Sequence, residues 1–150
     1  MNKVLLSSGK DDWETPQEFF AKLDREFQFT LDPCANDNNH KCNRYYTELD
    51  DGLSKSWGGE TVFCNPPYSA ARKGKPGQAD WIKKCYDESK KPGTTVVMLI
   101  PARTDTAAFH KYIYGKAEIR FVRGRLKFVG AKYSAPFPSM VVVYRGGRQG

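Results

Sequence analysis

Several features are scarce in this sequence, and each scarcity narrows it. No apolar run approaches the ~20 residues that a membrane-spanning helix needs, so no span is expected. The opening MNKVLLSSGK carries a lysine and an apolar patch too short for a signal peptide, which makes the cytoplasm the expected compartment. Cysteine is sparse and unpatterned: Cys34, Cys42, Cys64 and Cys85 contain no CxxC pair, so reduced, partly buried thiols are expected. Cys34, His40 and Cys42 lack a fourth ligand at zinc-site spacing, and no metal is expected. Acidic residues nearly vanish towards one end. Residues 103–150 hold 10 Lys/Arg but only Asp105 and Glu118, whereas residues 1–102 hold 14 Lys/Arg against 15 Asp/Glu. A basic half on a neutral body is the footprint of a polyanion partner, with a merely solvated face as the plain alternative. Repeats and long linkers are missing too, so residues 1–150 read as one domain.

What is present is globular: 39% apolar residues and 13% aromatic, enough to build a core. After Trp13, Thr15 is a good N-cap, Pro16 suits the first helical position and Glu18 completes a capping box. Phe19, Phe20, Leu23 and Phe27 then share a helical face. FQFTLD alternates Phe27, Phe29 and Leu31 as a short strand ending at Asp32-Pro33. Residues 33–60 read mostly as loop, with one short helix or strand near Tyr45 and Tyr46. TVFC (61–64) reads as a strand, SAARKGKPG as a loop, and 78–90 as a helix with Trp81, Ile82 and Cys85 inward. TTVVMLI (94–100) is a central strand buried on both faces. A helix over 104–114 is expected between a Thr104 cap and Gly115, then strands near 117–123 and 139–145 with no helix between them. The pattern predicts an α/β sheet with helices on both faces and an antiparallel pair at one edge. Ligands of such sheets bind at the carboxyl ends of strands, so Asp32-Pro33-Cys34-Ala35 and Asn65-Pro66-Pro67-Tyr68 are expected to line one cleft.

The Asn-Pro-Pro-Tyr corner arises by chance on the order of once in a thousand chains of this length. Its two prolines fix φ and remove two backbone donors, so the strand must stop there. The residue types suit an exocyclic amine, a poor nucleophile because its lone pair is delocalised. The Asn65 side-chain oxygen and the Pro66 carbonyl can hold its two N–H groups and favour a more tetrahedral nitrogen, with little reorganisation. Tyr68 offers a ring on which a planar base stacks, worth roughly 1–3 kcal/mol.

The corner resembles that of the amino-group methyltransferases that use S-adenosylmethionine. The ordered set WETPQEFF (13–20), LDPCA (31–35), DGLSKSW (51–57), FCNPPYS (63–69), IPARTDTAAFH (100–110), GRLKF (124–128) and APFPS (135–139) resembles, more narrowly, the compact phage-type DNA N6-adenine methyltransferases. The resemblance implies a reduced Rossmann-like class I methyltransferase sheet and S-adenosylmethionine as cofactor. It also implies methyl transfer to N6 of an adenine flipped out of double-stranded DNA, in the host-cell cytoplasm for a phage-encoded chain. Asn65, Pro66, Pro67 and Tyr68 are the implied catalytic residues. By the same resemblance Asp32, with Pro33, Cys34 and Ala35, lies beside the methionine portion of the cofactor. Thr15 and Pro16 resemble an early Thr-Pro that contacts the same end, while Thr15 also reads as an N-cap. Asp50 or Asp51 binds the cofactor ribose or adenine, a turn Asp-Gly being the plain alternative. Trp57 covers that adenine or belongs to the core; Phe128 forms a second wall of the base pocket or a hairpin core. Arg72, Lys73 and Lys75, just past the corner, and Arg123, Arg125 and Lys127, beside Phe128, are expected to bind DNA phosphates. No segment resembles a target-recognition domain, so low sequence specificity is expected.

Two departures qualify the resemblance. The usual glycine-rich turn after Asp-Pro is missing, and Asn36, Asn38 and Asn39 stand in its place, Asn tolerating the left-handed conformation. Only 28 residues (33–60) separate the first strand from the Asn-Pro-Pro-Tyr strand, which predicts a reduced sheet and a shallow cofactor pocket. The rival readings are an amino-methyltransferase acting on RNA or a protein glutamine, and a non-catalytic nucleic-acid binder on the same fold.

Overall fold

The computed structural model describes residues 13–146; the opening MNKVLLSSGK and the basic Arg148 lie outside the described residues. Helix α1 (Gln17–Phe27) starts from Pro16, whose extended backbone forms the N-cap without any side-chain hydrogen bond. The capping box expected of Thr15 and Glu18 is therefore not formed, because the Thr15 hydroxyl is bonded to Asn65 instead. Helix α1 buries Phe20 and Leu23 and stops at Gln28, which is left-handed at φ 59° and donates its N–H to the Asp24 carbonyl.

The FQFTLD segment contributes less strand than its alternation predicts. Leu31 bridges Val62 and Asp32 bridges Tyr45, each as a single parallel bridge. Phe27 and Phe29 pack on one another, and Phe20 and Phe29 both pack on Phe63. The alternating rings are spent on aromatic packing under α1 rather than on a ladder.

Strands β1 (Thr61–Cys64), β2 (Thr95–Pro101), β3 (Glu118–Phe121) and β4 (Ser139–Tyr144) form an open four-stranded sheet in the order β1-β2-β4-β3. Strand β1 runs parallel to β2, while β4 runs antiparallel to both β2 and β3. The expected antiparallel pair at one edge is thus present: β3 is outermost, beside β4, which is buried along its whole length. Its SMVVVY sequence, apolar on both faces, suits that place. On the edge, Arg120 bridges Glu26 at 2.7 Å and Glu118 at 2.6 Å, a charged cover that discourages further pairing.

Successive strand residues point to opposite faces. Phe63 meets α1 through Phe20, whereas the Cys64 thiol meets Cys85 of helix α2 (Gln78–Ser89), so helices flank both faces. The helix expected over 104–114 is instead a short wide turn over Phe109–Ile113, with the Tyr114 N–H bonded to the Phe109 carbonyl at 2.8 Å. Its cap is Thr106, whose hydroxyl accepts the Phe109 N–H at 3.2 Å, and not Thr104. Among the described residues no helix is long and apolar enough to cross a membrane.

Candidate active site and its basic rim

Where β1 ends, the chain turns through Asn65-Pro66-Pro67-Tyr68 and is held from several sides. The Gln78 N–H at the start of α2 bonds to the Ser69 carbonyl at 2.9 Å, and Arg103 Nη1 donates to the Tyr68 carbonyl at 2.9 Å. Gly77 lies so close beneath the loop that a Cβ there would stand 2.1 Å from the Ala71 nitrogen. No side chain fits at that position. Arg103 was not singled out from the sequence, although it lies within the quoted IPARTDTAAFH; its basic charge gave no hint that it braces the corner.

The Asn65 carboxamide is fully engaged on its nitrogen. Nδ2 donates to the Trp13 carbonyl and, at 2.9 Å, to Thr15 Oγ1, while Oδ1 accepts the Tyr68 hydroxyl at 2.7 Å. Tyr68 is only 3% exposed. Its ring lies within 14° of parallel to Trp13, with centroids 6.2 Å apart, and meets Phe128 and Phe137 edge-on at 6.3 and 5.6 Å. The open stacking platform expected at Tyr68 is thus covered, because the aromatic rings of the WETPQEFF, GRLKF and APFPS segments close over it. Phe128, 2% exposed, belongs to this cluster.

Beside the corner opens a cleft of about 1410 Å³. It brings together Thr15, Asp32, Pro33, Cys34, Ala35, Asp51, Asn65, Pro67, Arg72 and Lys75. Pro16, Asp50, Pro66, Tyr68, Lys73, Arg123, Arg125, Lys127 and Phe128 do not line it. Asp32 is 4% exposed, and burial pushes its carboxyl from the ordinary 3.8 up to about 6, against the pull of the Lys41 and Cys34 backbone N–H groups. The Lys41 N–H reaches Asp32 Oδ2 at 2.9 Å. The following turn is closed by side-chain bonds: Asn36 Oδ1 accepts the N–H groups of Asn38 and Asn39, each at 2.8 Å. None of the three asparagines takes a positive φ, so the missing glycines are replaced by Asn hydrogen bonding and not by a left-handed Asn.

Of the paired acids, Asp50 is bound to its own turn, taking the Thr47 N–H at 2.8 Å, which helps hold its carboxyl below the usual range. Asp51, left-handed at φ 61°, is the one that faces the cleft. Gly52 follows it because a Cβ would stand 2.2 Å from the Pro33 carbonyl oxygen, so this loop packs directly on the Asp32 turn. Trp57 is fully buried and donates Nε1–H to the Gly52 carbonyl at 3.1 Å, a core residue and not a cofactor cover. Trp81 lines the cleft in its stead, and its buried Nε1–H has no acceptor. Among the described residues no group of three or more His, Cys, Asp or Glu side chains is gathered to hold a metal.

The rim is basic and exposed. Arg72 and Lys75 pair across a tight turn through Lys73 and Gly74, and Lys75 Nζ meets Glu48 at 3.0 Å. Arg123, Arg125 and Lys127 are all exposed on the chain that runs from β3 into Phe128.

The strand-end Asn-Pro-Pro-Tyr thus lies beside a buried Asp-Pro on the neighbouring strip of sheet. The model of the DNA N-6-adenine-methyltransferase (Dam) family matches residues 3–146, and the chain belongs to that family. It is similar to the DNA N-6-adenine-methyltransferase of Escherichia phage T1, 30% identical over 119 residues that span 78% of this chain and 47% of that protein. It is also similar to the DNA N-6-adenine-methyltransferase of Haemophilus phage HP1, 29% identical over 125 residues, 81% of this chain and 68% of that one. The chain thus spans about half the length of the phage T1 relative.

Proposed function

We propose that this chain, as one methyltransferase domain, transfers a methyl group from S-adenosylmethionine to the N6 amine of adenine in DNA, with low sequence specificity. The observation that carries the reading is the Asn65 amide at the end of β1, opening on the same cleft as the buried Asp32. The sheet order supports a reduced class I methyltransferase sheet, since the Leu31-Asp32 strip lies directly against β1 and the antiparallel β4 lies inside β3.

The cleft fits the cofactor. Its volume exceeds the usual range for a single small ligand, leaving space for a nucleotide as well. Asp32 and Asp51 offer carboxylates to a molecule that carries an ammonium group and ribose hydroxyls, and the unmatched Trp81 Nε1–H offers a donor. When bound, S-adenosylmethionine supplies an electrophilic methyl group on a positively charged sulfur. Asp32 receives the methionine end, with Pro33, Cys34 and Ala35 around it, and Asp51 rather than Asp50 receives the ribose or adenine. Asn65 Oδ1 and the Pro66 carbonyl accept the two N–H bonds of the target amine, localising the lone pair that does the chemistry. Pro67 stiffens the corner, and the buried Tyr68 and Phe128 rings support it from the core. N6 within a stacked pair is out of reach of Asn65, so the adenine is turned out of the duplex. Arg72, Lys73, Lys75, Arg123, Arg125 and Lys127 grip phosphates. On this reading the chain works in the cytoplasm that holds the DNA, the host's for a phage-encoded protein.

Incubation with labelled S-adenosylmethionine and DNA, RNA or protein, followed by nucleoside analysis, tests the proposal. N6-methyladenine in DNA is expected. Label found only in RNA or protein, or 4-methylcytosine as the main product, refutes it.

A further inference from the structure

We infer that Thr15 is a positioning residue for Asn65 and not a contact to the cofactor. The inference rests on the reading of Asn65 as acceptor for the target amine. Thr15 is 2% exposed, and its hydroxyl does not cap α1, which has no side-chain cap bond. That hydroxyl lies 2.9 Å from Asn65 Nδ2.

A carboxamide has nearly the same shape either way round, so hydrogen bonding alone decides which end faces the substrate. The Trp13 carbonyl can only accept, which obliges the amide nitrogen to face it. The Thr15 oxygen takes the second proton of the same nitrogen. With both donors used, Oδ1 is turned the other way, where the Tyr68 hydroxyl occupies one lone pair at 2.7 Å and the other is left for an incoming N–H. Turned over, Asn65 would offer donors to an amine that is itself a donor, and the corner would repel its substrate. The Trp13 carbonyl thus sets the polarity of the site, and Thr15, by taking the second amide proton, holds Asn65 in it. The presence of Thr15 in the cleft wall follows from its place beside Asn65.

Three variants and three measurements test this: Thr15→Val, Thr15→Ser and Asn65→Ala. Measured are turnover on a DNA duplex at saturating S-adenosylmethionine, cofactor affinity by calorimetry, and solvent exchange of the Asn65 side-chain NH2 by nitrogen-15 NMR without ligand. Thr15→Val should lower kcat at least tenfold, leave cofactor Kd within about twofold, and lose the slow exchange of the Asn65 NH2; Thr15→Ser should restore most of each. Should the valine variant not fold, Thr15→Ala carries the same measurements. A tenfold loss of cofactor affinity with kcat unchanged overturns the inference, and so does an Asn65 NH2 that exchanges as in the native chain. If Asn65→Ala keeps native turnover, the reading of Asn65 fails instead, while the exchange measurement still decides whether Thr15 holds the amide.

Discussion

The floor of the cleft and its rim are made in opposite ways. On the floor, Asp32 and Thr15 are 4% and 2% exposed, and each polar end of Asn65 meets a partner fixed by the sheet, α1 or the corner itself. On the rim, Arg72, Lys73, Lys75, Arg123, Arg125 and Lys127 are exposed and ride on loops. The floor resembles a preorganised site whose dipoles are set before a substrate arrives. The rim resembles a screenable field that attracts a polyanion without fixing its register. The two regions should accordingly fail in different observables: rate and cofactor affinity for the floor, DNA affinity and salt dependence for the rim.

The largest effect expected is that of Asn65→Ala, which should cut turnover on the order of a thousandfold, ~4 kcal/mol, with cofactor affinity within a few-fold by calorimetry. Next, Asp32→Ala should weaken S-adenosylmethionine binding tenfold or more, ~1.4 kcal/mol, and leave DNA affinity alone. An Asp32 variant that loses DNA binding instead would dissolve the distinction between floor and rim. Neutralising Arg72, Lys73 and Lys75 together should weaken DNA binding about five- to tenfold at physiological salt and lower the salt slope by about two, without touching cofactor affinity. The slope change stays below three charges' worth because Lys75 already bridges Glu48.

The smallest effect is one of pH. Burial raises the Asp32 carboxyl to about 6, so cofactor affinity should be about halved at pH 6, a dependence absent from Asp32→Ala. The sign for stability is the reverse. The folded chain keeps this proton between 3.8 and about 6 where the unfolded chain has released it, so through this group stability declines as pH rises across that window. The site residue that most favours the cofactor is one that the fold alone would rather have neutral.

The sequence read well wherever one local signal matched one structural use. TTVVMLI became β2, residues 78–90 became α2, and the double proline ended β1 where it had to. It read badly wherever a side chain had two uses open to it. Thr15 is a good cap by residue type, but the Asn65 amide claims its hydroxyl across 50 residues, which no local pattern encodes. The Phe27-Phe29-Leu31 alternation is real, but the rings serve α1 packing and only Leu31 and Asp32 bridge. The antiparallel pair of β3 and β4 stands at one edge as expected, but which of the two is outermost is a matter of long-range pairing. At the site, Asp32 and Asn65 share one cleft as their strand ends predict, and Asp51 was separated from Asp50 only by which of them Thr47 captures. Arg103 and Trp81 were missed because their roles come from a backbone carbonyl and an unmatched indole N–H, neither of which has a sequence signature.

Asp32 is joined to the sheet by single bridges, whereas β2 and β4 share a ladder running from Val96–Tyr144 to Pro101–Ser139. Amide hydrogens of that ladder can be released only by breaking the core, so their exchange reports global unfolding. Those of the Leu31-Asp32 strip need only a local opening, in which the strip peels from Val62 and Tyr45 while the rest stays folded. A ligand that binds only the closed strip makes each such opening rarer in proportion to its concentration over Kd. If Asp32 receives the cofactor as proposed, it sits on the segment whose breathing the cofactor would quiet, and the affinity is set partly by how often that segment is open.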